Sequence, residues 1–521
     1  MNPPHHWIVK NKPLALLITL FLVEIVVYWL IAHPIIEALY NGQSIFIFKP
    51  FSNRTENSLE YYADKVDQLF FTVNGLAILF AFGISFARRM LIYPKPKIAS
   101  EFFEFTRQKI LGSSQSISLF AGLFIVFFSL YCVLGLSLAP NHTRYVFWGA
   151  DNLEQIRDWT SLGWNKNHEG AHPLTPLLID PWGFLLYQLT GTGATAAVIL
   201  NALWSALAVS LSAVCFWLLT EQYSAALLLA LVFGVSMSQL VFGAVPESYG
   251  FAALSIVLVH SLFLICLKTG RVYPWGWVLV GLLSFGITIT NFAQAIICFV
   301  LTLLQQRRKG LLKLTAEYIG AVISIGVVLA LVQRKLLPGS QYFFFADTVK
   351  SKVEYMAVGI LTQPFAVISE LFKNFFMLNF VSAFPAFEPN LKLPTPEKQG
   401  VIEIVCTFFN QPLDYNILGG IGVGLWLSLF GIGLLANIFS YQKKPFWFTG
   451  VALCVLFNLA LHSIFGVQEL FLYTSHFTFP VLLLAVNREI LSRHYYQVGL
   501  LLLVLIMAIN NLAIMGYLTI T

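Results

Sequence analysis

Apolar runs long enough to cross a bilayer recur along most of this chain, and they constrain it more than any motif does. A hydrocarbon core asks for roughly 20 mainly apolar residues per helix. Candidate spans fall at 14–32, 69–87, 117–138, 192–219, 223–243, 250–267, 274–290, 292–305, 315–333, 417–438, 446–464, 470–486 and 497–516. The pair 274–290 and 292–305 is short and broken at Thr290-Asn291, as two half-length helices meeting at a covered break would be. Only 11% of the 521 residues are charged, against roughly 25% in a soluble domain. So little charge cannot coat a water-facing surface. A soluble enzyme, a disordered chain and, despite the net charge of +6, a nucleic-acid binder are therefore excluded. The expected fold class is an all-α polytopic membrane protein with about 11–13 transmembrane helices.

Cysteine usage adds little. Cys132, Cys215, Cys266, Cys298 and Cys454 sit inside apolar runs as small hydrophobes, Cys406 lies in a polar loop, and no CxxC pair suggests a metal site. The start, MNPPHHWIVKNKP, is basic and leads into an apolar run too long for a signal peptide, which reads as a retained first span.

Orientation follows from Lys and Arg in short loops. The segment 88–112 carries Arg88, Arg89, Lys95, Lys97, Arg107 and Lys109; further basic loops hold Lys268 and Arg271, Arg307-Arg308-Lys309, Lys443-Lys444, and Arg488 with Arg493. Counting spans puts all of them on one side, expected to be cytoplasmic. The opposite side then receives the loop 33–66, the loop 139–190, the turns near 244–249, 291 and 465–469, and the segment 336–412. Sequons at Asn53 and Asn141 face the same way and do not separate a periplasm from an ER lumen. Four parts result: a hairpin and basic loop at 1–116, a core at 117–335, the outer segment 336–412 and a bundle at 413–521. No internal repeat of the kind that builds many transporters is visible, and the unusual polar residues gather at helix ends on one face rather than at the midplane. That distribution favours an enzyme.

The outer loop 139–190 is the most informative stretch. Asp151 is followed by Glu154 and Asp158 at i+3 and i+7, so a helix would put three carboxylates on one face, with Leu153, Ile156 and Trp159 suited to the membrane interface. For Glu154 and Asp158 a solvated acidic face is the expectation. His168 and His172 stand at i, i+4, a spacing used by zinc, but Gly170 and Pro173 oppose a regular helix; His172-Pro173 instead reads as the end of a loop and the start of a helix. Other candidates at outer helix ends are Glu247, Asn291, Arg334-Lys335, and the cluster His462, Glu469, Tyr473 and His476, where ionisable groups next to a span are functional candidates. Arg and Lys at a helix end also snorkel to headgroups, and a core histidine remains the plain reading of His476.

Taken together, the acidic residue followed some twenty positions later by His172-Pro173-Leu174, the stretch Pro246-Glu-Ser-Tyr-Gly-Phe-Ala-Ala-Leu254 and the stretch Gly281-Leu-Leu-Ser-Phe-Gly-Ile-Thr-Ile-Thr-Asn291 resemble GT-C membrane glycosyltransferases of the polyprenol-phosphate-sugar-dependent kind, the protein mannosyltransferase and aminoarabinose transferase group. The likeness covers residues 117–310. The loop follows the third span here rather than the first, and Asn152 stands where several branches carry a second acid, so the metal requirement is left open: no cofactor is certain, and a divalent metal is compatible with the residues but not indicated by them. The resemblance implies a GT-C-like bundle and an inverting transfer of a sugar from a polyprenyl-phosphate donor to a hydroxyl of a glycan, lipid or protein. Asp151 would be the general base, its pKa raised by an apolar helix mouth; His168, His172, Glu247, Asn291, His462, Glu469, Tyr473 and His476 would bind substrate. Arg334 and Lys335 would bind the donor phosphate, and the Phe343 and Phe375 runs could face the lipid carrier. The expected setting is a bacterial inner membrane with a periplasmic site, or the ER membrane with a lumenal one. A transporter or flippase of lipid-linked sugars, and a polysaccharide polymerase or ligase, are the competing readings.

Overall fold

The computed structural model describes residues 79–86, 114–143, 145–161, 172–337, 340, 342–343, 356, 359–389 and 404–520. The expected span 14–32, most of 69–87, the basic segment 88–112, His168 and Asn53 lie outside the described residues. In chain order, α1 (Ser114–Leu138) leads through a 3-10 turn (Ala139–Thr143) into β1 (Tyr145–Phe147). The short helices α2 (Asn152–Thr160) and α3 (Asp180–Thr190) precede α4 (Gly193–Thr220), α5 (Tyr223–Gly234), α6 (Met237–Ala244) and α7 (Tyr249–Thr269). Next come α8 (Pro274–Ile287), α9 (Asn291–Gln305), α10 (Leu311–Leu336), α11 (Pro364–Lys373), β2 (Ala386–Pro389) and β3 (Ile404–Thr407). The chain closes with α12 (Ile417–Phe439), α13 (Pro445–His462), a 3-10 segment (Val467–His476), α14 (Thr478–Leu484) and α15 (His494–Ile520).

The protein is an all-α polytopic membrane protein. Among the described residues, α1, α4, α7, α10, α12, α13 and α15 are each long and apolar enough to cross a membrane. The pair α5 and α6 passes the same test although bent by 61°, and α8 and α9 are the two half-length helices expected on either side of residue 290. One expected span is corrected: 470–486 is a 3-10 segment followed by the seven-residue α14. Gly466 at φ +66° and the non-helical Glu469 turn the chain there, and Thr474 and Ser475 spend their hydroxyls on Ser238 instead of facing lipid.

The bend between α5 and α6 frees backbone groups deep in the bundle, where each must find a partner. Asn511 of α15 donates from its amide to the carbonyls of Val235 (2.9 Å) and Phe380 (2.7 Å), and its oxygen accepts from Ser382 N–H (3.0 Å). Met237 N–H and Ser238 N–H reach the carbonyls of Phe380 and Asn379. Asn511→Leu removes these partners while keeping the volume. The Phe380 carbonyl keeps the Met237 N–H, while the Val235 carbonyl and the Ser382 N–H are left unsatisfied at roughly 1–3 kcal/mol each, so the variant should lose about 2–6 kcal/mol of stability, read as a lowered thermal midpoint in detergent.

One end of the bundle collects the described basic loops. Glu221 accepts from Lys268 at 3.1 Å and pairs with Arg488 at 2.8 Å, while Lys443 pairs with Glu489 at 2.5 Å. Gly270 and the run Gln305–Lys309 line one cavity at this end. The Lys268 ammonium, with Arg488 adding to it, holds the Glu221 carboxyl below its ordinary value. Helix α7 starts at Tyr249 and ends beside Lys268, so its 21 residues separate this basic end from Tyr249 by about 30 Å.

Candidate active site

The site lies at the Tyr249 end, and a small sheet sets its frame. β1 runs parallel to β3 (Tyr145 with Ile404, Phe147 with Cys406), and β2 pairs antiparallel to β3. The outer segment 336–412 is therefore stitched to the outer loop 139–190. Directly after β1 the chain makes a tight turn closed by Ala150 N–H on the Phe147 carbonyl (3.0 Å), with Trp148 at φ +53° and Gly149 at φ +85°. Two successive left-handed residues define the type I′ geometry. A side chain as large as Trp in this region costs about 1–2 kcal/mol. Its ring offsets that by packing on Phe408 and Phe471, with centroids 5.4 and 4.9 Å away.

The turn delivers Asp151 to the start of α2. Its N–H donates to Glu247 Oε2 at 3.0 Å, and the other oxygen of Glu247 accepts from the Ser248 N–H (2.7 Å) and hydroxyl (3.1 Å). Glu247 is buried at the N-terminal end of α7, where a carboxylate meets the positive end of the helix dipole. It thus ties the Asp151 loop to the membrane helix. Helix α2 is fixed from below: Trp159 is fully buried against Phe251, and a Cβ at Gly183 of α3 would stand 2.3 Å from the Trp159 carbonyl oxygen. Two expectations fail here. Asp158 is buried beside Arg157 rather than on a solvated acidic face, because Trp159 turns that side of α2 inward. Asp151 is exposed rather than enclosed by an apolar helix mouth.

The 3-10 segment brings the second acid. Glu469 lies so close to the turn that a Cβ at Gly149 would stand 3.1 Å from its carboxyl carbon. Asp151, Glu247, Glu469 and Tyr473 all act electrostatically on the Tyr249 phenol. The Tyr249 ring contacts His476 (5.3 Å) and Tyr473 (5.9 Å), and Tyr473 stacks on His462 at 4.9 Å. His476 is held by Gln294 of α9, whose amide donates to its carbonyl at 3.0 Å. Burial first, then the nearby His462 and His172, keeps the His476 pKa well below that of an ordinary imidazole, so the ring is neutral. His172 itself is fastened by its Nδ1 to the Ile287 carbonyl and faces the Thr288 hydroxyl at 3.5 Å. Asn291, buried at the start of α9, hydrogen-bonds through its N–H to the Thr288 carbonyl.

Asp151, Glu247, His462, Glu469, Tyr473 and His476 thus gather around Tyr249, while His172 and Asn291 share the Ile287–Thr288 turn. Arg334 and Lys335 are in neither group. Both are exposed at the end of α10, and Arg334 donates to the Ser340 carbonyl. Their neighbour Gln333 is buried and does reach the site's edge, donating to the Pro173 carbonyl (3.2 Å) and accepting from Leu177 N–H (3.0 Å). Of the aromatic runs, Phe343 is buried against Phe285 and Phe375 stacks on Phe477 with ring centroids 3.5 Å apart, while Phe376 lines an apolar cavity. Among the described residues, no three His, Cys, Asp or Glu side chains are grouped as a metal ion would require.

Comparison with known proteins adds little. No protein-family model matches the chain, and no curated protein matches it. Among solved structures, the oligosaccharyltransferase of Archaeoglobus fulgidus in its apo form is similar over 77% of this chain and 56% of that one, at a TM-score of 0.38 and 12% identity. The chain spans little more than half the length of that protein. So slight a likeness does not bear on activity.

Sequence reasoning passed over Tyr249 as a member of the site and missed Trp148, Glu370 and Asn374 altogether. Tyr249 had a usable signal, since it stands two residues after Glu247 at the start of α7. Glu370 and Asn374 had none, because only the sheet brings the outer segment next to Gly149.

Proposed function

We propose that this protein is an integral-membrane glycosyltransferase that moves a sugar from a polyprenyl-phosphate donor to an acceptor hydroxyl on the extracytoplasmic face, with inversion. The observation that carries this reading is the convergence of Asp151, Glu247, Glu469, Tyr249, Tyr473 and His476 at the bundle end opposite the basic loops. By the bias of Lys and Arg toward the cytoplasm, that end faces outward. Asp151, exposed and anchored through its own backbone, is the general base. It takes the proton of the acceptor hydroxyl as that oxygen bonds to the anomeric carbon. The bond from that carbon to the phosphate oxygen breaks, and polyprenyl phosphate leaves as an anion that needs no general acid. Attack opposite the leaving group inverts the anomeric carbon, as in single-displacement glycoside chemistry.

Glu247 is a positioning residue: both of its oxygens are used, one on Asp151 N–H and one on Ser248. Neutral His476 and the tyrosines offer donors and acceptors to sugar hydroxyls. Arg334 and Lys335, the two residues after the Gln333 clamp, are the cations offered to the donor phosphate. An apolar cavity of about 390 Å³ between α12 and α13, lined by Phe376, Leu427, Phe430 and Leu459, suits a segment of the polyprenyl chain. Phe376 and the buried Phe375, the latter facing His462, stand between that cavity and the candidate site.

The test is reconstitution of the purified protein in liposomes with a membrane lipid extract, following polyprenyl-phosphate sugars by mass spectrometry. A glycosyltransferase consumes one of them and releases free polyprenyl phosphate. If lipid-linked sugar instead changes leaflet without being consumed, the transporter reading replaces this one.

A further inference from the structure

A second small cavity opens on the far side of the Trp148-Gly149 turn, about 50 Å³ in volume, bounded by β3, α11 and the 3-10 segment. That is room for one or two groups the size of water, whose share of liquid volume is about 30 Å³. Three buried residues that line it carry a polar side-chain atom with no protein partner: Glu370 Oε2, Asn374 Oδ1 and the indole Nε1 of Trp148. Their residues are 5%, 2% and 3% exposed. A buried polar atom left unpaired costs free energy, so three lining one cavity point to a group that enters it. The other oxygen of Glu370 is held by Lys373 at 2.5 Å, which fixes the carboxylate in place. Asn374 donates its amide to the Glu370 carbonyl at 2.9 Å, which turns Asn374 Oδ1 away from its own helix.

The atoms on offer decide what enters. One N–H donor stands with two oxygen acceptors, and a hydroxyl both accepts and donates. A phosphate would meet Glu370 as a like charge, and an apolar group would leave all three atoms unpaired. Glu469 borders this cavity as well as the Gly149 side of the catalytic centre, so the two spaces share a wall.

We propose that this cavity is a hydroxyl-recognition subsite for a sugar unit of the acceptor. It takes one hydroxyl or hydroxymethyl group, which accepts from Trp148 Nε1 and donates to Glu370 Oε2 or Asn374 Oδ1. The acceptor is then a glycan approaching from the aqueous side along the sheet, rather than a lipid arriving through the bilayer. The assignment of the sugar as acceptor rests on the glycosyltransferase reading; the binding of a sugar hydroxyl does not.

Saturation-transfer NMR on the detergent-solubilised protein, with free glucose, galactose, mannose, rhamnose and arabinose as probes, tests it. At least one should bind saturably. Glu370→Gln, which keeps shape, and Trp148→Phe, which removes the indole N–H along with part of the ring, should each weaken that binding about tenfold, the loss of one charge-assisted or buried hydrogen bond. Thermal midpoints and size-exclusion profiles check that both variants fold. Asp151→Asn should bind the sugar as the wild type does. The subsite is overturned if none of the five sugars saturates, or if both folded variants bind as the wild type. If Asp151→Asn abolishes transfer while no sugar binds, the subsite fails and the enzyme stands. If Asp151→Asn leaves transfer intact while Glu370→Gln weakens sugar binding, the base assignment fails and the subsite stands.

Discussion

Asp151→Asn should lower the rate of sugar transfer by about 10²–10⁴-fold, the usual contribution of a positioned general base. The amide keeps the shape of the side chain and cannot take a proton. Because the link between the Asp151 loop and α7 runs through backbone N–H to Glu247, the substitution leaves that anchor in place. Folding, insertion and the thermal midpoint in detergent should therefore match the wild type. The measurement is turnover of polyprenyl-phosphate sugar in liposomes, with donor KM determined alongside. A base acting on the acceptor predicts a fall in kcat with donor KM little changed. Wild-type turnover in a correctly folded Asp151→Asn protein would remove Asp151 from the mechanism. Glu247→Gln separates positioning from chemistry: its single oxygen can accept from Asp151 N–H or from Ser248 N–H but not from both, so it should lower the thermal midpoint as well as turnover, with a smaller loss of turnover than Asp151→Asn.

Much of this organisation was legible in the sequence because a bilayer makes polarity expensive. Runs such as 117–138, 250–267 and 497–516 have one stable environment, and their helices came out where the apolar residues are. The same reasoning sorted the charges: Lys268, Lys443 and Arg488 meet around Glu221 and Glu489 at one end, while Asp151, Glu247 and Glu469 meet at the other. What was not legible depended on partners distant in the chain. The segment 470–486 is as apolar as a span, yet Ser238 and Gln294 hold its polar residues, so it coils into the bundle as a 3-10 turn and a short helix. Asp158 read as a solvated acid until Trp159 and Gly183 were seen to turn α2 inward. The β1–β3 pairing joins residues about 260 positions apart through two strands of three and four residues, too short for periodicity to mark.

Gly149→Ala should cost activity out of proportion to stability, and Gly191 supplies the internal standard. Both glycines are left-handed, at φ +85° and +74°, so a methyl group at either position meets the same backbone penalty of about 1–2 kcal/mol. Their surroundings differ. A Cβ at Gly191 has nothing within 4 Å, whereas one at Gly149 stands 3.1 Å from two carbons of the Glu469 side chain. The carboxylate must then give way by some tenths of an ångström, or the turn that presents Asp151 must. Either movement changes the spacing between Asp151 and Glu469. Displacements on the scale of 1 Å in such a constellation reduce rates by up to about 10². The expected result is a similar drop in thermal midpoint for Gly149→Ala and Gly191→Ala, with turnover reduced roughly 10–100-fold only in the first. Equal loss of turnover in both would mean that backbone strain alone is felt. Unchanged turnover in Gly149→Ala would mean that the contact between the turn and Glu469 does not set the geometry in which Asp151 works.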